Sequence, residues 1–283
     1  MKKVSWILIA VFFVFLAACQ SQQSVSGTAD KSENNDKQED TTDHKDKDQP
    51  SEKTSGLPKQ DKKEKEEAKK AKPSYEMKDN WYLKPINGEK NKKVILLTID
   101  DAPDKHALEM AKTLKKLNAK AIFFVNGHFL GSDDKKAELK KIHDMGFTIG
   151  NHTYSHAYLP DLSPAEQKKE ILQVNDMVEK ITGERPQFFR APNGANTEVS
   201  KRLAKKEHMT LMNWSYGYDF MPEYEDRTKL TNIMLKTNLL GNGANLLMHD
   251  RDWTNAALKD IVTGLKEKGY AMLEPDKIKR INE

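Results

Sequence analysis

Two histidines stand four residues apart in His152-Thr153-Tyr154-Ser155-His156, close enough to share one metal ion if the segment makes a helical turn or a tight loop. A pair so spaced also occurs as an ordinary structural feature. It is not the metalloprotease helix, because Thr153 stands where that helix carries its general-base glutamate. Asp100 and Asp101 are adjacent elsewhere in the chain, and a carboxylate from them added to two imidazoles makes three N/O ligands with a coordination position left open. Such a set suits catalytic rather than structural zinc, which acidifies a bound water to a pKa of about 7. Two neighbouring aspartates can divide the work, one binding the metal and the other taking a proton. Read alone, Asp100-Asp101-Ala102-Pro103-Asp104 is equally an acidic turn before a helix, with Asp104 as its cap. A magnesium-dependent, phosphatase-like carboxylate site is a further reading, but no glycine-rich phosphate loop accompanies it, and the paired histidines favour zinc.

Arg190-Ala191-Pro192-Asn193-Gly194 reads as a rigid turn leaving a strand. Arg190 can orient a carboxylate by bidentate bonding, and the turn exposes backbone N–H groups able to hold a developing oxyanion, worth roughly 3 kcal/mol in a transition state. As an isolated segment it would be an ordinary turn. His249 is the remaining candidate for a general acid, since a leaving amine needs a proton near neutral pH; its alternative is a core or surface histidine ahead of a helix.

These groups gain meaning from the elements that must position them. Val94 to Ile99 is a continuous β-prone run, the mark of a strand buried on both faces. Residues 105–117 carry apolar side chains at helical spacing, 121–125 read as a strand, 135–145 as a helix and 147–150 as a strand. Ser163-Pro164-Ala165-Glu166 has the capping-box form and opens a helix that runs to Gly183. A strand at Phe188-Phe189, a helix over 198–206, a strand over 209–213 and a helix over 228–240 follow. A strand at 245–248, a helix through Lys268 and a short strand at 270–273 complete the pattern. The repeated alternation predicts one α/β domain with a parallel sheet or barrel. Asp100-Asp101, His152 and His156, Arg190 and His249 then all follow strands, and in parallel α/β folds those carboxyl ends open on one face. That convergence of four strands carries more weight than any single motif.

The rest of the chain is of another kind. Of 283 residues, 47 are Lys or Arg and 43 Asp or Glu, but residues 20–74 hold 12 lysines and 13 acids with no aromatic residue. So little apolar surface cannot offset roughly 1–2 kcal/mol of backbone entropy per ordered residue, and residues 19–74 are expected to be a disordered charged tether. Residues 75–283 retain 33 basic against 30 acidic residues, a balance that argues against a dedicated nucleic-acid binder. Met1-Lys2-Lys3 precedes an apolar run from Trp6 to Ala17, too short for a comfortable span of roughly 20 residues and fitting a signal-peptide core. Leu16-Ala17-Ala18-Cys19 resembles the lipobox of bacterial lipoproteins, so residues 1–18 are expected to be removed and Cys19 lipidated. The protein is thus expected on the extracytoplasmic face of a bacterial membrane. Residues 75–91 form a lead-in segment whose packing the sequence leaves open, and 92–283 are expected to form the folded domain that carries the candidate site.

Taken in order, Thr98-Ile99-Asp100-Asp101, His152 through His156, Arg190 through Gly194, Trp214 through Asp219-Phe220, and Leu247-Met248-His249 resemble the motifs of the polysaccharide deacetylases, the NodB-homology or carbohydrate esterase 4 family. The resemblance spans roughly residues 92–275. It implies a distorted (β/α) barrel and metal-dependent removal of N-acetyl groups from a glycan, most simply peptidoglycan amino sugars. It further implies Asp100 as base, Asp101, His152 and His156 as ligands of Zn2+ (or Co2+ or Ni2+), and His249 as acid. Arg190 would steady Asp100, and Asp219 would pair with His249 and raise its pKa. The backbone N–H of Asn193 would face the oxyanion, while Phe220, Leu247 and Trp214 would line the substrate site. Ala102-Pro103, Asn193 and Phe220 depart from the usual glycine, tyrosine and tryptophan, which bears on acceptor specificity and rate. A poly-N-acetylglucosamine exopolysaccharide is the alternative substrate, and a non-catalytic glycan-binding lipoprotein the alternative class. Trp81, Tyr82, Tyr154, Tyr158, Tyr216, Tyr218 and Trp253 are candidates for stacking on sugars in either case.

Overall fold

The computed structural model describes residues 72–86 and 92–280. The expected signal peptide, Cys19 and nearly all of the expected tether lie outside the described residues. Among those described, no helix is long and apolar enough to cross a membrane.

Nine strands and six α-helices follow one another in the described chain. A short antiparallel hairpin, β1 (Tyr75–Met77) and β2 (Leu83–Pro85), precedes β3 (Val94–Ala102). Then come α1 (Ala107–Lys116), β4 (Ile122–Val125), α2 (Asp133–Asp144), β5 (Thr148–Asn151), α3 (Pro164–Thr182) and β6 (Phe188–Phe189). The chain continues through α4 (Glu198–Lys206), β7 (Thr210–Leu211), α5 (Arg227–Lys236), β8 (Ala244–His249), α6 (Asp252–Glu267) and β9 (Ala271–Met272). The parallel sheet runs β7-β6-β5-β4-β3-β8, with β9 paired to Val94 and Ile95 at the start of β3. Its two edges are joined by one stretch of chain. Met212 N–H donates to Phe189 on the β6 side, and three residues later Ser215 N–H donates to Asn245 and Leu247 N–H to Tyr216 on the β8 side. This bridging curls the sheet into a distorted (β/α) barrel and explains why the strand expected over 209–213 is only two residues long.

All nine residues of β3 are buried, as its unbroken apolar run requires, and their alternation sorts them into two layers. Ile95, Leu97 and Ile99 pack outward against Met110 and Leu114 of α1 and Leu258 and Ile261 of α6. Val94 and Leu96 face the barrel interior with Ile122, Phe124, Phe188 and Met212. The hairpin closes the bottom of that interior. Tyr75 and Leu83 join the inner cluster, and Leu83 N–H donates to the Gly243 carbonyl at 2.7 Å. The described part of the lead-in segment therefore packs on the barrel.

The helix ends follow local chemistry. Ser163 and Glu166 close a reciprocal capping box on α3, and Gly183 ends it in the left-handed region at φ 88°. Two expectations are corrected. The helix expected to reach residue 240 stops at Lys236, where the Thr237 hydroxyl accepts from Leu239 N–H and bonds the Tyr218 hydroxyl. Asp104 does not cap α1. The Asp250 carboxylate, delivered from the end of β8, accepts the N–H groups of Lys105, His106 and Ala107 at 3.0, 2.5 and 3.0 Å.

Candidate active site

Strict alternation along β3 would aim Asp100 and Asp101 to opposite faces. The pairing of β3 with β4 shifts register between Ile99 and Ala102, and Asp101 adopts φ 61°, uncommon for a residue bearing a side chain. This irregularity turns both carboxylates toward the carboxyl end of the barrel. The histidine segment beyond β5 is likewise irregular, with Thr153 at φ 68° and His156 at φ 59°. Buried amides hold it there. Asn126 Nδ2 donates to the His152 and Thr153 carbonyls at 2.7 and 3.3 Å, and Asn151 Oδ1 accepts from Thr153 N–H at 2.8 Å. Glu170 accepts from both the N–H and the hydroxyl of Ser155 at 2.8 Å.

The result brings one ligand atom each from Asp101, His152 and His156 within 4.8 Å of one another. Asp101 Oδ1 lies 3.9 Å from His152 Nε2 and 3.7 Å from His156 Nε2, not far from the roughly 3.3 Å edge of a tetrahedron with bonds of about 2.05 Å. The donor set therefore fits a divalent transition metal, and the outer contacts agree. His152 Nδ1 bonds the Arg190 carbonyl at 2.7 Å, so its proton belongs on Nδ1 and the Nε2 lone pair faces the centre. Burial pushes the His152 pKa below the usual imidazole value, which keeps the ring neutral. Asp101 Oδ2 is taken by Arg251 at 2.6 Å, leaving Oδ1 for the centre. Burial raises the Asp101 pKa, but His152, His249, His156 and Arg251 outweigh it and hold the carboxyl below its ordinary value.

Asp100 is not part of this triad. Its Oδ1 accepts from Arg190 Nη1 at 2.6 Å, and its Oδ2 is 3.5 Å from His152 Nε2. Arg190 is fully buried in the barrel with its guanidinium 4.4 Å from the Phe124 ring centroid, and it also donates to Thr98 Oγ1 and the Asn213 carbonyl, each at 2.8 Å. One long cationic side chain thus fixes the second aspartate from below.

On the facing wall His249 Nδ1 lies 2.8 Å from Asp219 Oδ1, while Asp219 Oδ2 accepts His249 N–H and the Thr254 hydroxyl at 2.6 and 2.7 Å. Burial alone would depress the His249 pKa; the charge and hydrogen bond of Asp219, with Asp100 and Asp101 behind them, raise it instead. The Asp219–His249 contact expected from the resemblance is present in the geometry.

These groups open into one cleft of about 470 Å³, whose walls include Asn193, Trp214, Phe220, Leu247, Glu225 and Trp253. Asn193 sits at φ 55° within the turn after Arg190, and Phe220 is 54% exposed with its ring 6.1 Å from that of His249. Of the seven aromatic residues considered for sugar stacking, Trp253 lines this cleft and donates its indole N–H to the Asp219 carbonyl at 2.7 Å. Tyr216 is buried with its hydroxyl on the Met234 carbonyl, Tyr218 bonds Thr237, and Tyr82 bonds the Leu239 carbonyl. Trp81 packs on the inner cluster and Tyr154 on the outer one, whereas Tyr158 is exposed outside the cleft. Arg251, Glu225, Asn126 and Asn151 were not singled out from sequence. Only Arg251 had a visible signal, as the cation two residues after His249.

Comparison with known proteins places these residues in context. Residues 87–212 match the family model described as polysaccharide deacetylase. The chain is 32% identical over 196 residues to the peptidoglycan-N-acetylmuramic acid deacetylase PdaC of Bacillus subtilis, a match covering 68% of this chain but 40% of that protein, so the chain spans less than half of that relative's length. It is 30% identical over 199 residues to a peptidoglycan-N-acetylglucosamine deacetylase of Bacillus cereus, covering 66% of this chain and 69% of that one. Among solved structures it resembles BA3943, a CE4 family pseudoenzyme from Bacillus anthracis, with a TM-score of 0.59 and 28% identity over 67% of each chain.

Proposed function

The chain belongs to the polysaccharide deacetylase family, and from that premise we propose that it removes N-acetyl groups from peptidoglycan amino sugars with a bound divalent metal, in first place zinc. The observation that carries this reading is the separation of Asp100 from the ligand triad. Arg190 holds Asp100 while Asp101, His152 and His156 converge, and His249 stands on the other side of the same cleft.

Asp101, His152 and His156 would hold the metal, which when bound supplies a Lewis acid that polarises a carbonyl and acidifies water toward neutral pH. Asp100 Oδ2, left free by the Arg190 contact on Oδ1, takes a proton from the attacking water. Water oxygen adds to the acetamide carbon, and the developing oxyanion faces the backbone N–H of Asn193 in its turn. His249, kept protonated by Asp219, gives its proton to the nitrogen as the C–N bond breaks, leaving a free amine and acetate. Leu247, Trp214 and Phe220 all line the cleft, where Phe220 and Leu247 would border the acetyl group.

The relatives' names divide between N-acetylmuramic acid and N-acetylglucosamine, and a poly-N-acetylglucosamine chain would offer the same acetamide. The pseudoenzyme relative gives weight to a second reading, glycan binding without turnover. Placement of the domain outside the membrane, through a signal peptide at 1–18 and a lipidated Cys19, is part of the same proposal and rests on the Leu16–Cys19 sequence. The test is acetate release from purified peptidoglycan by the zinc-loaded protein beside Asp100→Asn and His249→Ala. Loss of at least a hundredfold in both variants, with metal content retained, is expected. Background release from all three proteins with glycan binding intact would replace the enzyme by a binding protein.

A further inference from the structure

The six helices carry charge in one sense. Acidic residues occupy the first turn of α1 (Glu109), α2 (Asp133 and Asp134), α3 (Glu166), α4 (Glu198) and α6 (Asp252), and Asp226 caps α5. Basic residues occupy every last turn, from Lys115 and Lys116 in α1 to Lys236 in α5 and Lys266 in α6. Each placement complements a helix dipole. Because the helices run back along parallel strands, however, all the basic turns collect at the end of the barrel opposite the cleft.

Helix dipoles do not account for Lys93, which precedes β3. With Lys236 and Lys268 it rims an open concavity of about 520 Å³ that includes Thr237 and Tyr270, its own Nζ lying 5.7 Å from the Tyr270 ring centroid. None of the three lysines has a carboxylate partner among the described residues. The carboxylates of Asp144, Glu179, Glu207, Glu274 and Asp276 at that end are taken by Lys140, Arg185, Lys277 and Arg280, whereas Glu267 beside Lys268 and Asp79 in the hairpin have no basic partner among the described residues and Glu184 faces only His143. The described chain also begins on this face. Ser74 N–H donates to the Lys277 carbonyl, and the hairpin seals the barrel floor there, so everything before Lys72 joins the domain at its basic end.

We infer that this face docks on an anionic phospholipid surface and holds the cleft away from it. Lysines are point charges on flexible stems, and without an arginine fork or a cradle of backbone N–H groups they suit a diffuse layer of headgroups better than one bound phosphate. The sequence before Lys72 carries Cys19, which the proposed function lipidates after removal of residues 1–18, so the inference rests on that placement, and a membrane is the anionic surface within reach. The inference is independent of the chemistry in the cleft.

The test uses the full-length chain on vesicles of neutral phosphatidylcholine, or of phosphatidylcholine with about one third phosphatidylglycerol, and reads lysine acylation by a membrane-impermeant reagent. On anionic vesicles Lys93, Lys236 and Lys268 should be protected about fivefold or more, with protection lost at about 0.5 M salt. Lys136 and Lys201, in first turns at the cleft end, should label equally on both. Equal labelling of the three lysines on both vesicles overturns the docking surface. So does equal protection by inorganic phosphate on neutral vesicles, which would make this a small-anion site. Acetate release is read separately on the same samples, so failure here leaves the deacetylase reading standing.

Discussion

Asp219→Asn isolates what a buried charge does for His249. Asp219 is fully buried and accepts three hydrogen bonds, from His249 Nδ1 at 2.8 Å, His249 N–H at 2.6 Å and the Thr254 hydroxyl at 2.7 Å. Asparagine keeps the shape and one oxygen, so the main loss is the negative charge facing the imidazolium. A hydrogen bond to a charged group is worth about 1.5–3 kcal/mol against about 1 kcal/mol for a neutral one, a difference of about 1–2 kcal/mol. At 1.36 kcal/mol per unit, the His249 pKa should fall by about one unit. The sign follows from its role. In the proposed mechanism His249 works as an acid while protonated, so activity should be lost as pH rises through its pKa, and Asp219 should extend the active range upward from about 6.5. The alkaline limb of kcat for acetate release should therefore move down by about one unit, with the His249 ring resonances titrating in step. Stability follows the same linkage. The Asp219–His249 contribution is fully present below about pH 6.5 and fades as pH rises through the raised folded pKa, so wild type and variant should converge in stability at alkaline pH. An unmoved limb, or a uniform loss of kcat at every pH, would show that Asp219 only positions the ring and would refute the electrostatic account.

Arg190→Met should destabilise the fold by about 3–5 kcal/mol in denaturant titration, because Asp100 would be left buried and uncompensated; a loss under 1 kcal/mol would mean that water reaches Asp100 instead. Zinc at about 100 times its Kd should stabilise the protein by about 2.7 kcal/mol, a rise of roughly 5–10 °C in Tm. Chelator should reverse that rise and His152→Ala should abolish it, and an undiminished shift in the variant would remove His152 from the ligand set.

The order of strands and helices was legible because local rules and burial agree. The run Val94–Ile99 is apolar throughout because β3 is buried on both faces, and Ser163, Glu166 and Gly183 mark the ends of α3 by hydrogen bonds made within a few residues. Expectations failed where the partner comes from far along the chain. The cap of α1 is Asp250, more than 140 residues from the groups it accepts, and Tyr216 is buried because the chain bridges there to β8.

The candidate site divides along the same line. Its residue types and their places after strand ends are written in the sequence, since a parallel fold sends every strand end to one face. How two adjacent aspartates reach the same cleft is not. Alternation would have separated Asp100 from Asp101, and it is the register shift in β3, with Asp101 at φ 61°, that aims both into one cleft. Arg190 on one carboxylate and Arg251 on the other then give the pair different partners. The residues alone name two acids and a division of labour, and the family resemblance implies Asp100 as base and Asp101 as ligand. Only the tertiary structure, by buckling one strand and setting two distant arginines beside it, brings both acids into one cleft with different partners, because those contacts come from residues about 90 and 150 positions away.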